Sequence, residues 1–414
     1  ERLARAAAAR AAQAAARDGI VDRAVAEVGQ ARRFARRELQ SALLLLDALP
    51  VLAEAIRPRP VPAAGGQTTL EWAPYGVVLG WHAANSPVWV PTLVAASGLV
   101  GGNAVVARPS RRTHRTSTLV VEALAGAWPE GALQVLATAD PTEAEALIAH
   151  PGVHAVVAHA STATCKRHLA RLGRAYEQGA PLRPYIPEAS GNDALVVLAG
   201  ADLERAARAA ALGGFANSGQ LCMAAKRIVV QEAAWPEFRP RLAGAVRALV
   251  MGDPDHERTE VAPLPEGPAR ARAREALAEA LVMGGEVVVG EGETGPFFTP
   301  TVVLLPRRAR DARLWQEESF APLRGVMLAR DAEDALALAN DTPYGLGAAL
   351  FGPRAVVEAI VPRLRCARVV VDEGPLYQDP HLVVGGVGES GLAGARPKLE
   401  QLVFARRVHR AAGY

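Results

Sequence analysis

The feature that most limits how this chain folds is a regular alternation of short apolar runs with helical stretches. An apolar helix is indicated at residues 90–99, and residues 103–107 follow it as a buried strand. The alternation then continues through a helix at 119–125, a strand at 133–136, a helix at 143–149 and a strand at 153–157. This order predicts a parallel sheet wrapped by helices.

A second α/β stretch begins near Gly191. Residues 194–198 are typical of a strand, and Asp202 is placed to cap a helix that runs to about Phe215. A loop with Cys222 at its end follows, and a strand is indicated at 227–230. The cysteine is therefore expected on a connection between a helix and a strand.

The length of 414 residues favours two packed α/β domains with a minor third element. Residues 1–56 have a helical pattern, which prolines end shortly afterwards, and a turn is expected at Gly65 and Gly66. Strand-like sequence also occurs at 68–72 and in a short run at 402–404. With hydrophobic residues at 50%, the chain is able to bury a large core.

Charge and cysteine content exclude several classes of protein. The net charge of +3 arises from mixed acidic and basic residues, so it indicates no nucleic-acid partner. Cys165, Cys222 and Cys366 are far apart and lack a C-x-x-C spacing, which argues against disulfides and a metal site. The leucine-rich run at 42–46 is too short to span a membrane. We therefore expect a cytoplasmic protein with no metal, membrane or nucleic-acid partner.

Cys222 is the first candidate for chemistry. A thiol on a glycine-containing loop between a helix end and a strand is exposed to a cleft, where backbone N–H groups stabilise its thiolate. The alternative is an inert, buried cysteine, which is the more common role of an isolated cysteine. The surrounding sequence decides between the two.

The residues around Cys222 resemble the active-site segment of aldehyde dehydrogenases. Residues 217–227 read Asn-Ser-Gly-Gln-Leu-Cys-Met-Ala-Ala-Lys-Arg, and the family has Gly-Gln-x-Cys before a strand that begins with Arg. Six further segments resemble family motifs in the same order, at residues 80–91, 101–110, 187–194, 317–322, 340–345 and 385–391. The resemblance extends from about Thr68 to the C-terminus.

The resemblance implies a role for each of five residues. Cys222 attacks the aldehyde carbonyl, and the Asn85 amide together with the Cys222 N–H stabilises the oxyanion. Glu188 is the general base that activates water for thioester hydrolysis. Glu318 binds the nicotinamide ribose, and Phe320 packs beside it. Taken singly, Asn85 is equally suited to a turn, Glu188 to a solvated loop and Glu318 to a helix end.

The implied cofactor site departs from the family pattern. Ser161 lies in the strand-to-helix turn that approaches the dinucleotide, but Ala160 and Cys165 stand where the family has glycines. Arg108 replaces a lysine of the family. Arg111 replaces a glutamate that often binds the adenosine ribose, so Arg111 and Arg112 are candidates to receive a 2′-phosphate. A solvated basic turn is the alternative, and the cofactor is expected to be NAD or NADP.

The sequence thus predicts an α/β protein with a Rossmann-like parallel-sheet cofactor domain, a second α/β catalytic domain and a small β oligomerisation element. The expected division is 1–66 with 77–187, 188–390, and 67–76 with 398–414. The small element implies a homodimer or homotetramer. The predicted activity is NAD(P)-dependent oxidation of an aldehyde to a carboxylic acid. A CoA-acylating aldehyde dehydrogenase and a degenerate, non-catalytic binding or assembly partner are the alternatives.

Overall fold

The computed structural model describes residues 1–63, 66–136, 140–264, 267–377, 385–392, 394, 396 and 398–410. Gly65 of the expected turn and residues 411–414 of the expected oligomerisation element lie outside the described residues. The described part contains two large sheets, a three-stranded sheet and two short two-stranded sheets.

Three helices form the N-terminal region, as the sequence predicts. They are α1 (Arg2–Ala15), α2 (Arg17–Val28) and α3 (Arg32–Leu52), and a 3-10 turn extends α3 to Ile56. Strands β1 (Arg59–Val61) and β2 (Gln67–Pro74) follow. The apolar faces of the helices join the core of the first large sheet, so these helices cover one of its faces.

The first large sheet has five parallel strands. The strands are β3 (Val77–Trp81), β4 (Ala104–Arg108), β5 (Leu133–Val135), β6 (Ala155–His159) and β7 (Tyr185–Glu188), in the order β5-β4-β3-β6-β7. The connecting helices are α4 (Trp89–Val100), α5 (His114–Ala125), α6 (Pro141–Ala146) and α7 (Thr162–Glu177). This is the predicted βαβ unit. Because ligands of such sheets bind beyond the carboxyl ends of the strands, the loops after β3, β4, β6 and β7 are the ones to examine.

The second large sheet has seven strands, and all but its edge strand β10 run parallel. The strands of this part are β8 (Asp193–Val197), β9 (Ala225–Gln231), β10 (Glu286–Val289), β11 (Glu293–Thr294), β12 (Phe297–Phe298), β13 (Thr301–Leu304), β14 (Leu323–Ala329), β15 (Tyr344–Gly345), β16 (Gly347–Phe351), β17 (Arg368–Val371) and β18 (Val387–Gly388). The sheet order is β10-β13-β14-β9-β8-β16-β17. Its helices are α8 (Leu203–Phe215), α9 (Trp235–Arg247), α10 (Pro268–Val282), α11 (Arg313–Gln316), α12 (Ala332–Ala339) and α13 (Arg354–Ile360).

The chain ends in α14 (Lys398–Gln401) and β19 (Val403–Arg410), and β19 pairs with β2 along its whole length. The resulting antiparallel sheet has the order β1-β2-β19. β19 is longer than the short run expected at 402–404. The expected division also placed residues 59–61 with the cofactor-binding part, whereas β1 pairs with β2 of the small sheet.

Strand sequences in the large sheets are almost continuously apolar because helices cover both sheet faces. All five residues of β6, β8 and β16 are buried. One helical stretch, Arg32–Ile56, is long and apolar enough by length and composition to cross a membrane. Its buried side chains on one face, among them Leu39, Leu43 and Leu46, belong to the core shared with α1, α4 and α5, while Arg33 and Arg36 form exposed ion pairs. Leu44 and Val51 are exposed, so core packing accounts for only part of its apolar character.

Candidate active site

A cavity of about 1250 Å³ lies where loops from both large sheets meet. It is lined from the first sheet by residues that follow β3, β4 and β6, and from the second by the loop before β9. Six of the eight predicted site residues line it: Asn85, Ser161, Glu188, Cys222, Glu318 and Phe320. Arg108 and Arg111 do not line it.

The loop before Cys222 is held in an unusual backbone conformation. Asn217, Ser218 and Gly219 have φ values of 51°, 53° and 76°, so three successive residues are left-handed. Ser218 Oγ donates to the Ala262 carbonyl at 2.9 Å and accepts from the Ala262 N–H at 3.1 Å. Such a conformation persists only where surrounding contacts determine it, so the loop presents Cys222 in a defined place.

Two residues fix the backbone carbonyl of Cys222. The buried Lys226 ammonium donates to the carbonyls of Leu221 at 2.7 Å and Cys222 at 2.5 Å. A Cβ on Gly191 would lie 2.4 Å from the Cys222 carbonyl oxygen, which is closer than any side chain allows. The sequence Ala-Ser-Gly at 189–191 therefore matters for its lack of a side chain at Gly191.

Asn85 and the cysteine loop bind each other. The Asn85 amide donates to the Gln220 carbonyl at 3.0 Å, and the Asn217 amide donates to the Asn85 carbonyl at 3.0 Å. An amide nitrogen carries two hydrogens, so a second donor of Asn85 is left to face the cavity. Buried Glu38 holds the same loop through Ser86 Oγ at 3.0 Å and the Val88 N–H at 2.8 Å.

Glu188 ends β7 and is buried beside a lysine that the sequence analysis did not select. Its Oε1 accepts from Lys398 Nζ, and neither side chain is substantially exposed, at 6% for Glu188 and 0% for Lys398. Oε2 of Glu188 has no hydrogen-bond partner among the residues that the structure describes. His159 is the register partner of Glu188 on β6 and also lines the cavity.

Burial controls the charge state of the cysteine. It raises the pKa of the Cys222 thiol to about 11, and the nearby Lys226 ammonium offsets this only partly. Glu318, Asp193 and Glu188 raise the pKa further because their negative charges disfavour a thiolate. The resting group is therefore a neutral thiol, contrary to the thiolate expected from the loop position.

Glu318 and Phe320 reach the cavity from the segment before β14. Oε1 of Glu318 accepts from the Gly191 N–H at 3.0 Å and lies 3.5 Å from Lys226 Nζ. Phe320 has a φ of 45°, so its backbone is also left-handed. Glu318 thus links the loop after β7 to the residues around Cys222.

The start of α7 opens onto the cavity in place of the glycine turn. Ser161 caps the helix by accepting from the Thr164 N–H at 3.3 Å, and residues 160–163 line the cavity. Cys165, which stands where the family has a glycine, is buried and does not line the cavity. Ala160, with its single methyl group, is the departure that remains at the cavity wall.

The three arginines at the end of β4 and in the turn after it differ in whether they line the cavity. Arg112 lines the cavity, whereas its neighbour Arg111 does not. Arg108 is turned away, with its guanidinium carbon 3.8 Å from the centre of the Trp81 ring. A helix N-terminus and an arginine offer N–H donors for phosphate groups, and a carboxylate accepts hydrogen bonds from ribose hydroxyls. The residues present therefore fit NAD or NADP.

Sequence reasoning missed Lys226, Lys398 and His159 as parts of the site. A signal for the lysines was present, because the chain has 43 arginines and lysine only at positions 166, 226 and 398. Two of these three lysines are buried next to cavity carboxylates. His159 offered no such signal, because a histidine at a strand end is equally suited to the surface or the core.

The fold and cavity define a class of protein, namely a two-sheet α/β enzyme in which a thiol, a carboxylate and an amide share one cavity with room for a dinucleotide. The profile of the aldehyde dehydrogenase family matches residues 1–403. The chain therefore belongs to the aldehyde dehydrogenase family. The predicted fold and enzyme class, an NAD(P)-dependent oxidoreductase that oxidises aldehydes to carboxylic acids, are confirmed.

Individual relatives agree with this assignment. The chain is 32% identical to the succinate-semialdehyde dehydrogenase [NADP(+)] of Deinococcus radiodurans, over 92% of this chain and 79% of the relative. It is 33% identical to the vanillin dehydrogenase of a Pseudomonas species, over 80% of this chain and 69% of the relative. The crystal structure of a Mycobacterium tuberculosis aldehyde dehydrogenase complexed with NAD+ has 25% identity and a TM-score of 0.92, covering 100% of this chain and 86% of that one. These relatives support the main prediction and neither the CoA-acylating nor the non-catalytic alternative.

Proposed function

We propose that Cys222 is the nucleophile, Asn85 the oxyanion donor and Glu188 the general base of this aldehyde oxidation. The observation that carries the proposal is that all three side chains line one cavity although they come from three separate loops. A positioned thiol, donor and base within one cavity meet the geometric requirement for acyl chemistry on a carbonyl carbon.

In the first half-reaction the Cys222 sulfur bonds to the aldehyde carbon. Because the resting thiol is neutral, it must lose its proton. Glu188 is a cavity carboxylate whose Oε2 has no hydrogen-bond partner among the described residues, so we assign it as the acceptor of that proton. The carbonyl oxygen becomes an oxyanion, and the second amide hydrogen of Asn85 together with the Cys222 N–H stabilises it. When bound, the nicotinamide accepts the hydride, and a thioester on Cys222 remains.

In the second half-reaction water hydrolyses the thioester. Glu188 first releases to solvent the proton that it took from the thiol. It then takes a proton from water as the oxygen bonds to the acyl carbon, and the carbon–sulfur bond breaks. The carboxylic acid leaves and Cys222 regains its proton. A carboxylate that accepts a proton from water at this place favours hydrolysis of the thioester over transfer of the acyl group to CoA.

Several cavity residues are proposed to hold the cofactor. Ser161 and the start of α7 would hold the pyrophosphate, Glu318 would bind the nicotinamide ribose and Phe320 would pack beside it. Arg112 would receive the 2′-phosphate of NADP. Arg108 and Arg111 were also predicted to bind cofactor, but neither lines the cavity.

Two variants test the assignment of roles. We expect Cys222→Ala to abolish aldehyde oxidation and Glu188→Gln to accumulate a thioester, detected as an added acyl mass on the intact protein. Ser161→Ala serves as a folded comparison that retains the thiol and the base. Unchanged oxidation in Cys222→Ala would overturn the proposal.

We also propose the molecular context. The first large sheet with its helices is the cofactor domain (1–66 and 77–187, except β1 at Arg59–Val61), and the second is the catalytic domain (188–390). Residues 67–76 with 398–414 form the oligomerisation element, to which β1 is paired. The outer strand β19 of the small sheet supports a homodimer or homotetramer, because an unpaired strand edge invites a second chain. The enzyme is placed in the cytoplasm.

A further inference from the structure

A lysine that the proposed mechanism does not use forms an ion pair with the proposed general base. Lys398 begins α14, and its side chain has no exposed surface. Its Nζ donates to Oε1 of Glu188 and, at 2.9 Å, to the amide oxygen of Gln401. Burying an ammonium is costly unless charged and polar partners are close, and here Glu188 and Gln401 are those partners.

The other titratable groups near Glu188 are uncharged near neutral pH or paired elsewhere. Burial, followed by the positive charge of Lys398, holds the pKa of His159 well below its usual range. Burial also raises the thiol pKa of Cys165 and Cys222. Glu389, on the segment packed against the loop after β7, pairs with Lys166. Lys398 therefore supplies the positive charge that faces Glu188.

The two oxygens of Glu188 are in different environments. Oε1 is bound to Lys398, and Oε2 lacks a protein partner within the described part of the chain. A carboxylate fixed through one oxygen cannot rotate freely, so its other oxygen keeps one direction. Since Glu188 lines the cavity, Oε2, which is buried and has no partner among the described residues, is the oxygen left to accept a hydrogen bond from a water molecule that enters beside it.

We infer that Lys398 is a positioning residue that holds Glu188 in the orientation needed for hydrolysis of the thioester. This inference rests on the proposed function. A proton moves from water to Oε2 of Glu188, the water oxygen bonds to the acyl carbon, and the carbon–sulfur bond breaks. The carboxylic acid departs, and the proton on Oε2 returns to the sulfur or to solvent.

The small sheet fixes the place of Lys398. β19 begins two residues after α14 and pairs with β2 over residues 403–410. The Leu402 carbonyl between them accepts from the buried Asn103 amide at 2.8 Å. Attachment of the C-terminal segment to the first sheet therefore brings the lysine to the base.

Hydrolysis of p-nitrophenyl acetate tests the inference without any cofactor. The ester acylates Cys222 directly, so the burst of p-nitrophenol measures acylation and the later steady rate measures deacylation. For Lys398→Met we expect an unchanged burst and a steady rate at least tenfold lower.

Matched variants separate positioning from structure. Lys166→Met removes the exposed lysine paired with Glu389 and should leave both phases unchanged. In a Glu188→Gln background, Lys398→Met should cause no further slowing, because its effect acts through Glu188. Gln401→Ala should slow the steady rate less than Lys398→Met does, and Lys398→Arg should restore part of that rate.

The outcomes are distinguishable. A steady rate like that of the unmodified enzyme in Lys398→Met would overturn the inference. If that variant fails to fold, unchanged deacylation in both Gln401→Ala and Lys398→Arg has the same consequence. Ester hydrolysis that persists unchanged in Cys222→Ala would instead contradict the role of Cys222, and so the proposed function itself.

Discussion

At the scale of single residues, the protonation state of Cys222 is the property that the structure changes most. A loop cysteine is expected to have an activated thiolate, yet burial and three nearby carboxylates raise its pKa to about 11. The sulfur is therefore a weak nucleophile until a base takes its proton. A neutral thiol is also oxidised less readily than a thiolate, since the thiolate is the reactive form.

This pKa predicts how the free enzyme reacts with iodoacetamide. Below about pH 11 the thiolate fraction rises tenfold for each pH unit, so the alkylation rate should climb steadily from about pH 7 to 9.5. The rate is measured by intact mass, and Cys222→Ser shows how much Cys165 and Cys366 contribute. A rate that levels off near pH 8 would contradict the buried, neutral thiol.

The two neighbouring arginines predict different effects on cofactor binding. Arg112 lines the cavity and Arg111 does not, so Arg112→Ala should weaken NADP binding by roughly tenfold or more, as loss of a charge-assisted contact costs about 1.5–3 kcal/mol. NAD affinity should change little. Quenching of tryptophan fluorescence measures both, with Arg111→Ala as the control; equal effects of the two substitutions would disprove the assignment.

At the scale of elements, the helix before the active-site loop follows directly from the sequence. Asp202 caps α8 by accepting from the Arg205 N–H at 3.0 Å, and the helix ends at Phe215 as predicted. The short strand β7 was not predicted, because its four residues lack the long apolar run of the other strands. Its place is decided by parallel pairing with β6, a long-range contact.

Two glycines test how closely backbone contacts control the active-site loop. Gly191→Ala places a Cβ against the Cys222 carbonyl, so the loop must shift and we expect activity to fall by at least a hundredfold, given the cost of a 1 Å misplacement. Gly173, exposed in the interior of α7, has no atom within 4 Å of an added Cβ. Gly173→Ala should stabilise the protein by about 0.5–1 kcal/mol.

Activity assays and thermal unfolding distinguish the two glycine substitutions. Gly173→Ala should keep full activity with a higher unfolding temperature. A fully active Gly191→Ala enzyme would mean that the Cys222 carbonyl does not need this close approach.

At the scale of the whole molecule, ion pairs join the N-terminal helices to the second half of the chain. Arg32 binds Asp22 and Asp255, Arg33 binds Glu260, and Arg36 binds Glu257. The Arg32 N–H also donates to the Pro254 carbonyl at 2.8 Å. These contacts lie on the surface, so they orient the two parts more than they stabilise them.

The small weight of these pairs is itself testable. Replacing Arg33 and Arg36 by alanine together should lower the free energy of unfolding by no more than about 2 kcal/mol, since exposed pairs contribute about 0–1 kcal/mol each. High salt should reduce the difference from the unmodified enzyme because it screens exposed charges. Denaturant unfolding at two salt concentrations measures both quantities. A larger, salt-independent loss would indicate that these arginines contribute packing.

The amino-acid sequence by itself determined the α/β fold, the helices α4, α5, α6 and α8, and the strands β4, β5, β6, β8 and β9, because hydrophobic periodicity and caps are local properties. It also determined the family and the candidates Cys222, Asn85, Glu188 and Glu318 through ordered motifs. Only the tertiary structure decided the raised pKa of Cys222, the position of Arg112 rather than Arg111 at the cavity wall, and the pairing of Glu188 with Lys398. The physical reason is that desolvation and charge pairing depend on which distant residues fold against each other, and no local pattern encodes that.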